Sequence, residues 1–176
     1  LLALGFDDVF EVGLAAELVT DCTKKMMKNG ALKRPVISSA CPAVAELILL
    51  KYHELKDHLL GVYAPAKIAA KLAKKQALEK GIPPDDIGIF FISPCPAKVY
   101  SLHREEVAND KYISGVLSQS DIYFRLVDKM NKIKNPRKLC KCGYSGLSWG
   151  SSGGESNSLG SEIISIVRAC GTCSEF

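Results

Sequence analysis

The sequence predicts an α/β fold in which parallel strands are flanked by helices. Short β-like runs alternate with helical patterns along the chain, which is typical of βαβ units. Residues 87–92 are continuously apolar, as expected of a strand buried on both faces. Two strongly apolar runs each lead into a cysteine followed by proline, at Cys41 and Cys95. Open α/β sheets place ligands in the crevice beyond such strand ends.

Each predicted element has a local justification. The predicted strands are residues 8–12, 36–39, 87–92 and 112–117, and the predicted helices are residues 14–27, 42–52, 65–80 and 121–133. Asn29-Gly30 is a helix stop, and Pro42 suits the first turn of a helix. Ser118 or Ser120 is the expected cap of the last helix. An apolar pattern resumes at residues 163–167.

Composition limits the class of protein. The 176 residues are 47% hydrophobic and 24% charged, with a net charge of +4, which is ordinary for one globular domain or two small lobes. The densest basic run, residues 67–80, fits the solvated face of an amphipathic helix rather than a nucleic-acid site. We expect no membrane span and no secretory signal, and therefore a cytoplasmic protein. Because the chain starts at Leu1 without a methionine, we expect a fragment, residues 1–176, of a longer protein.

Seven cysteines carry the functional signal: Cys22, Cys41, Cys95, Cys140, Cys142, Cys170 and Cys173. Their odd number, without a secretory signal, argues against a disulfide framework and favours metal or redox chemistry. Cys41 and Cys95 share one strand–cysteine–proline arrangement, which favours a common soft metal or cluster over two small buried side chains. Cys22 falls in a helical pattern and is predicted to lie in the core.

Other features leave alternatives open. Lys98 is either a cation beside the Cys95 crevice or a surface lysine. The C-x-x-C pair Cys170 and Cys173 suits zinc, an iron–sulfur cluster or a redox dithiol, and Cys140 with Cys142 could complete a zinc site. The glycine- and serine-rich residues 143–160 are either a flexible linker or a segment that approaches a ligand closely.

Three stretches resemble the C-terminal domain of the large subunit of iron-only (FeFe) hydrogenases. Ser38-Ser39-Ala40-Cys41-Pro42 resembles the family signature T-S-C-C-P, and Pro94-Cys95-Pro96-Ala97-Lys98 resembles P-C-x-x-K. Ser152-Gly153-Gly154-Glu155 resembles the third, glycine-rich loop of the family. The motifs occur in the family's order, and the resemblance covers nearly the whole chain.

The resemblance implies two lobes with an iron–sulfur site in the crevice between them. That site would be a 4Fe-4S cluster joined to a di-iron subcluster with carbonyl and cyanide ligands, where hydrogen and protons interconvert. Cys41 and Cys95 would be cluster ligands, and Lys98 would donate to a cyanide. The expected cofactor-binding neighbours are Ser39, Pro94, Gly153 and Gly154. Cys170 and Cys173 are candidates for the remaining ligands, and a ferredoxin-like domain or protein is the expected electron partner.

The sequence also departs from the family pattern. The cysteine that passes protons in active members falls at Ala40, and the helix that carries their proton-path glutamates reads Thr20-Asp21-Cys22-Thr23. Ser93 replaces the usual methionine, and the family's last cysteines are spaced C-x-x-x-C. These departures resemble the sensory branch of the family, in anaerobes, where slow hydrogen chemistry serves as a signal. The alternatives are a non-catalytic 4Fe-4S electron-transfer or regulatory module without the di-iron site, and a structural zinc protein.

Overall fold

The computed structural model describes residues 1–101, 112–134 and 141–160, and these residues fall into two compact units. The strand unit comprises the described residues within 1–10 and 66–140. The helical unit comprises the described residues within 11–65 and 141–176. The predicted apolar stretch at residues 163–167 lies outside the described residues.

The described residues form helices, two strands and short 3-10 turns. The elements are α1 (Val12–Lys28), α2 (Pro42–Lys51), α3 (Pro65–Glu79), β1 (Phe90–Ser93), α4 (Pro96–Ser101), β2 (Gly115–Ser118), α5 (Gln119–Asn131), α6 (Tyr144–Ser148) and α7 (Gly154–Leu159). The 3-10 turns are Leu2–Leu4, His53–His58 and Pro84–Asp86. Within the described ranges, no helix is both long enough and apolar enough to cross a bilayer.

The strand unit is built on a parallel pair, which confirms the α/β class. β1 and β2 pair in parallel, with Phe90 opposite Gly115 and Ser93 opposite Ser118. The prediction of a fully buried strand at residues 87–92 is wrong, because Phe90 is 49% exposed and only Ser93 of β1 is buried. Exposure therefore decreases along β1 from Phe90 to Ser93 instead of being low throughout.

The strand unit also has buried side chains on its helices and an aromatic contact to its N-terminal residues. Ala69 and Ala70 of α3 are buried, as is Ile122 of α5. Phe6 contacts Phe90 edge to face, with ring centroids 6.4 Å apart. The Ser118 hydroxyl accepts the Ser120 N–H at 3.2 Å and so caps α5, as one of the two predicted residues was expected to do.

The helical unit packs around α1. One face of α1 is buried at helical spacing, which is how an amphipathic helix covers a core. That face comprises Ala15, Ala16, Val19, Thr20 and Thr23. The helix ends where the sequence predicted, with Asn29 as C-cap and Gly30 in the left-handed region at φ +66°. α6 and α7 both pack against α1.

Two predicted strands are not formed. In the first predicted strand, residues 8–12, α1 already begins at Val12. The residues before it are irregular, because the Asp8 carboxylate accepts the Val9 N–H and bonds the Lys80 ammonium. Residues 36–39 are reduced to a single parallel bridge between Ile37 and Leu59. The hydroxyls of Ser38 and Ser39 instead bond to the Glu155 carboxylate and the Leu60 carbonyl. Such side-chain hydrogen bonds compete with pairing between strands.

Candidate functional site

The loop that carries Cys41 lies directly before α2. Cys41 is the N-cap of α2, and Pro42 occupies the first helical turn, as predicted. The Cys41 carbonyl accepts the Ala45 N–H at 3.1 Å. Its thiol is half-buried and forms no disulfide. The backbone on both sides of Cys41 is therefore fixed, while the sulfur remains available.

Two serine hydroxyls hold this loop from different directions. Ser39 donates to the Leu60 carbonyl at 2.6 Å and lies 3.2 Å from that of Val62. Ser38 lies 2.7 and 2.8 Å from the two carboxylate oxygens of Glu155, to which its hydroxyl donates. The Ser38 oxygen also accepts the Ala40 N–H at 3.2 Å. Ser39, a predicted cofactor neighbour, is thus engaged with the backbone of the helical unit itself.

Residues 141–160, named the glycine-rich segment from here on, comprise the predicted stretch 143–160 and the two residues before it, and are anchored to α1 and its N-cap by two glutamates. The Glu11 carboxylate accepts the backbone N–H groups of Lys141 and Cys142 at 3.0–3.1 Å. Glu17 accepts those of Gly143 and Gly146, at 2.6 and 3.3 Å. These contacts argue against a flexible linker, while the predicted close approach to a ligand stays a prediction.

Glycine is required where this segment meets its neighbours. A Cβ on Gly146 would overlap the Gly13 carbonyl of α1, and a Cβ on Gly154 would overlap the Ser148 carbonyl. Gly153 has a backbone φ of +74°, a conformation that residues other than glycine rarely adopt. Gly154 is buried and Gly153 half-buried, and both lie directly before Glu155; their predicted role beside a cofactor stays a prediction.

The hydroxyls of Thr20 and Ser158 connect the glycine-rich segment to the interior of the helical unit. Thr20, 1% exposed, donates to the Ala16 carbonyl at 3.0 Å and accepts the indole N–H of Trp149 at 2.9 Å. The Ser158 hydroxyl lies 3.3 Å from that of Thr20 and donates to the Glu155 carbonyl at 2.7 Å. The segment is thus fixed at both of its short helices.

The second cysteine loop belongs to the strand unit. Cys95 stands between β1 and α4, half-buried and without a disulfide, and its N–H is accepted by Ser93 at 3.2 Å. Lys98 lies in the first turn of α4 and is half-buried, whereas Pro94 is exposed. A cleft of about 490 Å³ opens at the carboxyl ends of both strands, lined by Ser93, Pro94, Pro96, Ser118 and Ser120, among others.

The side chains of the Cys41 and Cys95 loops have the chemistry needed to bind iron through thiolates. Each presents a half-buried thiol, and each has a backbone N–H near the cysteine bonded to a serine two residues earlier. Thiolates are the usual ligands of iron–sulfur clusters. Within the described part of the chain, no three cysteine, histidine or acidic side chains converge as a metal site. Cys41 belongs to the helical unit and Cys95 to the strand unit.

Two further cysteines, Cys22 and Cys142, lie in the helical unit. The prediction that Cys22 lies in the core is wrong: its side chain is exposed on α1, with its sulfur 3.9 Å from that of Met26. The buried face of α1 passes through Thr20 and Thr23 instead. Cys142 is half-buried against Gly13. The candidates Cys140, Cys170 and Cys173 lie outside the described residues.

The parallel pair with a cysteine loop after β1, together with the helices around it, defines an α/β protein. Residues 1–145 match the family described as iron only hydrogenase large subunit, C-terminal domain, and the chain belongs to this family. It is 26% identical over 143 residues to the NADP-reducing hydrogenase subunit HndD of Solidesulfovibrio fructosivorans. That alignment covers 74% of this chain and 24% of the relative, so the chain spans about a quarter of that subunit.

Solved hydrogenase structures share the fold. A structure of HydA(deltaEFG), which concerns stepwise FeFe-hydrogenase H-cluster assembly, has a TM-score of 0.61 at 23% identity. It covers 73% of this chain and 34% of its own. The apo FeFe-hydrogenase HydA1 of Chlamydomonas reinhardtii has a TM-score of 0.60 at 21% identity, covering 73% and 34%. The family implies an iron–sulfur cofactor, and the shared fold confirms the predicted class.

Sequence reasoning missed the residues that assemble the helical unit around the Cys41 loop. Glu11 and Glu17 were not identified as anchors, although both flank or lie in the first turns of α1. Glu155 was noted only as part of a motif, and Ser38 only as a signature residue. The available signal was a run of glycines, whose backbone N–H groups need acceptors, in a chain that carries acidic side chains near the start of the first helix.

Proposed function

We propose that the chain is an H-cluster binding domain that loads a 4Fe-4S cluster through Cys41 and Cys95 and supports slow or sensory hydrogen chemistry. The observation that carries this proposal is the pair of free, half-buried thiols in serine-braced loops at the two family signatures. When bound, the cluster and its di-iron subcluster supply reversible splitting of hydrogen into protons and electrons. Cys170 and Cys173 are proposed as further ligands.

The chain's own residues have distinct parts in this proposal. Cys41 and Cys95 hold iron through sulfur, and the prolines beside them restrict the backbone that carries each thiol. The Lys98 ammonium, in the first turn of the helix after Cys95, is proposed to donate to an anionic ligand of the group. Electrons leave to a ferredoxin-like domain or protein in the cytoplasm of an anaerobe.

Ala40 is the reason for proposing slow turnover. It is half-buried beside Cys41, and its methyl group neither holds nor releases a proton. Ala40→Cys should therefore raise hydrogen turnover if proton transfer limits it. Unchanged turnover in a fully loaded variant would contradict a proton-transfer limit at this position.

The same residue favours a second candidate function. A domain without a proton-carrying side chain at Ala40 can still hold a cubane and pass electrons, which is a non-catalytic 4Fe-4S electron-transfer or regulatory module. The two candidates differ in the di-iron subcluster. Infrared bands of carbonyl and cyanide ligands after anaerobic maturation favour the hydrogenase, and a normal cubane signal without them favours the module.

Iron loading tests the ligand assignment directly. After anaerobic reconstitution of the full chain, Cys41→Ala and Cys95→Ala should lose iron, sulfide and the electron paramagnetic resonance (EPR) signal of the reduced cluster. Cys22→Ala is the matched control, because its thiol is exposed on α1 and should not be a ligand. Equal iron content in all variants would overturn the ligand assignment. Zinc without iron would favour the structural zinc protein.

A further inference from the structure

We propose that Glu155 is a positioning residue that sets the conformation of the Cys41 loop from the glycine-rich segment. Its carboxylate oxygens lie 2.7 and 2.8 Å from the Ser38 hydroxyl, and the Ser38 oxygen accepts the Ala40 N–H at 3.2 Å. One serine side chain thus connects Glu155 to the backbone immediately before Cys41. The inference rests on the proposed function in so far as Cys41 is a cluster ligand.

Within the described residues, the other hydrogen bonds of the Cys41 loop do not hold the Ala40 peptide, which is bonded by Ser38 and, through it, by Glu155. Ser39 is directed to the carbonyls of Leu60 and Val62, so its hydroxyl holds the opposite side of the loop. Ala40 has no polar side chain that could fix its own peptide. The Ala40 N–H is therefore held by a hydroxyl whose orientation depends on the Glu155 carboxylate. Hydrogen bonds to an ionised acceptor are shorter and stronger than neutral ones.

The glycine-rich segment holds Glu155 firmly enough to act in this way. Gly154 packs so closely on the Ser148 carbonyl that no larger residue fits, which fixes the start of α7. The Glu155 carbonyl accepts the Ser158 hydroxyl at 2.7 Å, and Ser158 lies beside the buried Thr20. The carboxylate is thus presented to Ser38 from a braced backbone rather than from a free loop.

The Cys41 loop and the glycine-rich segment share one small concavity of the helical unit. Ser38, Ala40, Trp149 and Glu155 are among the residues that line it. Removing the carboxylate takes away a charged acceptor, and a water that entered the vacated space would accept only a weaker, neutral hydrogen bond. Loss of the carboxylate should therefore release the Ser38 hydroxyl, and with it the Ala40 peptide and the orientation of the Cys41 thiol.

The first experiment measures thiol reactivity in the full chain without its cluster. Cys41 and Cys95 are alkylated with iodoacetamide, and mass spectrometry follows each cysteine separately. Glu155→Ala and Ser38→Ala should both change the Cys41 rate by about tenfold, the factor expected for loss of one hydrogen bond to a charged group. Glu155→Gln retains an acceptor for the Ser38 hydroxyl, so its Cys41 rate should return toward that of the unaltered chain.

Cys95 is the internal control, because it belongs to the other unit. Its rate should stay unchanged in all three variants. Equal changes at Cys41 and Cys95 would mean a general loss of stability and would overturn the positioning role. A Cys41 rate in Glu155→Ala equal to that of the unaltered chain would overturn it as well, as would failure of Glu155→Gln to restore the rate.

The second experiment separates this inference from the proposed function. After anaerobic reconstitution, Glu155→Ala should bind less iron or shift the midpoint potential of the cluster, whereas Glu155→Gln should resemble the unaltered chain. If the unaltered chain takes up no iron, the proposed function fails, and the alkylation rates alone decide the role of Glu155. If it loads and Glu155→Ala matches it in iron content, potential and Cys41 rate, the positioning role is contradicted and the proposed function stands.

Discussion

The contact between Thr20 and Trp149 gives the most direct energetic test of how the glycine-rich segment is held. Thr20 is 1% exposed, and its hydroxyl accepts the only indole N–H of the protein at 2.9 Å. Thr20→Val keeps the shape of the side chain but removes the acceptor. The Ala16 carbonyl that also receives this hydroxyl retains its helical partner, and the nearby Ser158 hydroxyl keeps its bond to the Glu155 carbonyl, so the loss falls mainly on Trp149.

The expected magnitude follows from this geometry. Leaving a donor without its partner costs about 1–3 kcal/mol when the group is buried. Trp149 is only half-buried, so we expect the free energy of unfolding to fall by about 1–2 kcal/mol, the lower part of that range. Trp149→Phe removes the donor instead, and the double variant should show a coupling energy of about 1 kcal/mol.

The assay is urea unfolding followed by circular dichroism at the helical signal, which remains usable after Trp149 is replaced. Four proteins are compared: the unaltered chain, Thr20→Val, Trp149→Phe and the double variant. The slope against urea must be the same in all four for the free energies to be comparable. A coupling energy below about 0.5 kcal/mol would refute the reasoning, because distant or independent sites are additive within that margin.

Further predictions concern packing, capping and ligation. Gly146→Ala should destabilise the chain by about 1–3 kcal/mol through overlap with Gly13, whereas Gly61→Ala, with nothing within 4 Å of its Cβ, should cost far less in the same urea assay. Ser118→Ala should cost about 1 kcal/mol by loss of the α5 cap, and Ser118→Asp should retain most of it. Cys22→Ala should leave reconstituted iron content unchanged, and iron loss there would contradict its surface position.

The helices were more predictable than the strands for a physical reason. α1 has both an apolar face of 3.6-residue period and an Asn29-Gly30 stop, and these two local signals agree. Residues 36–39 have an apolar start but two serines, and those hydroxyls are engaged by Glu155 and by backbone carbonyls distant in sequence. Tertiary partners thus decide the conformation of that run, and a local pattern does not contain them.

The candidate site was predictable in part. The Cys41 and Cys95 loops stand out in the sequence because cysteine beside proline is itself chemically informative, and their role as cluster ligands stays a prediction. Cys22 was placed in the core because its helix is amphipathic, yet helical phase places Thr20 and Thr23 inward and Cys22 outward. Glu155 could not be given a role from sequence, because its partner Ser38 is 117 residues away and carries no distinctive pattern.

The infrared spectrum of the matured chain tests the central claim most directly. The full chain is reconstituted anaerobically and matured, and its spectrum is compared with that of Cys41→Ala. An H-cluster domain of this family should show carbonyl and cyanide bands that disappear in Cys41→Ala. A cubane EPR signal without those bands would contradict the hydrogenase function and leave the electron-transfer module, and bands that persist in Cys41→Ala would contradict the ligand assigned here.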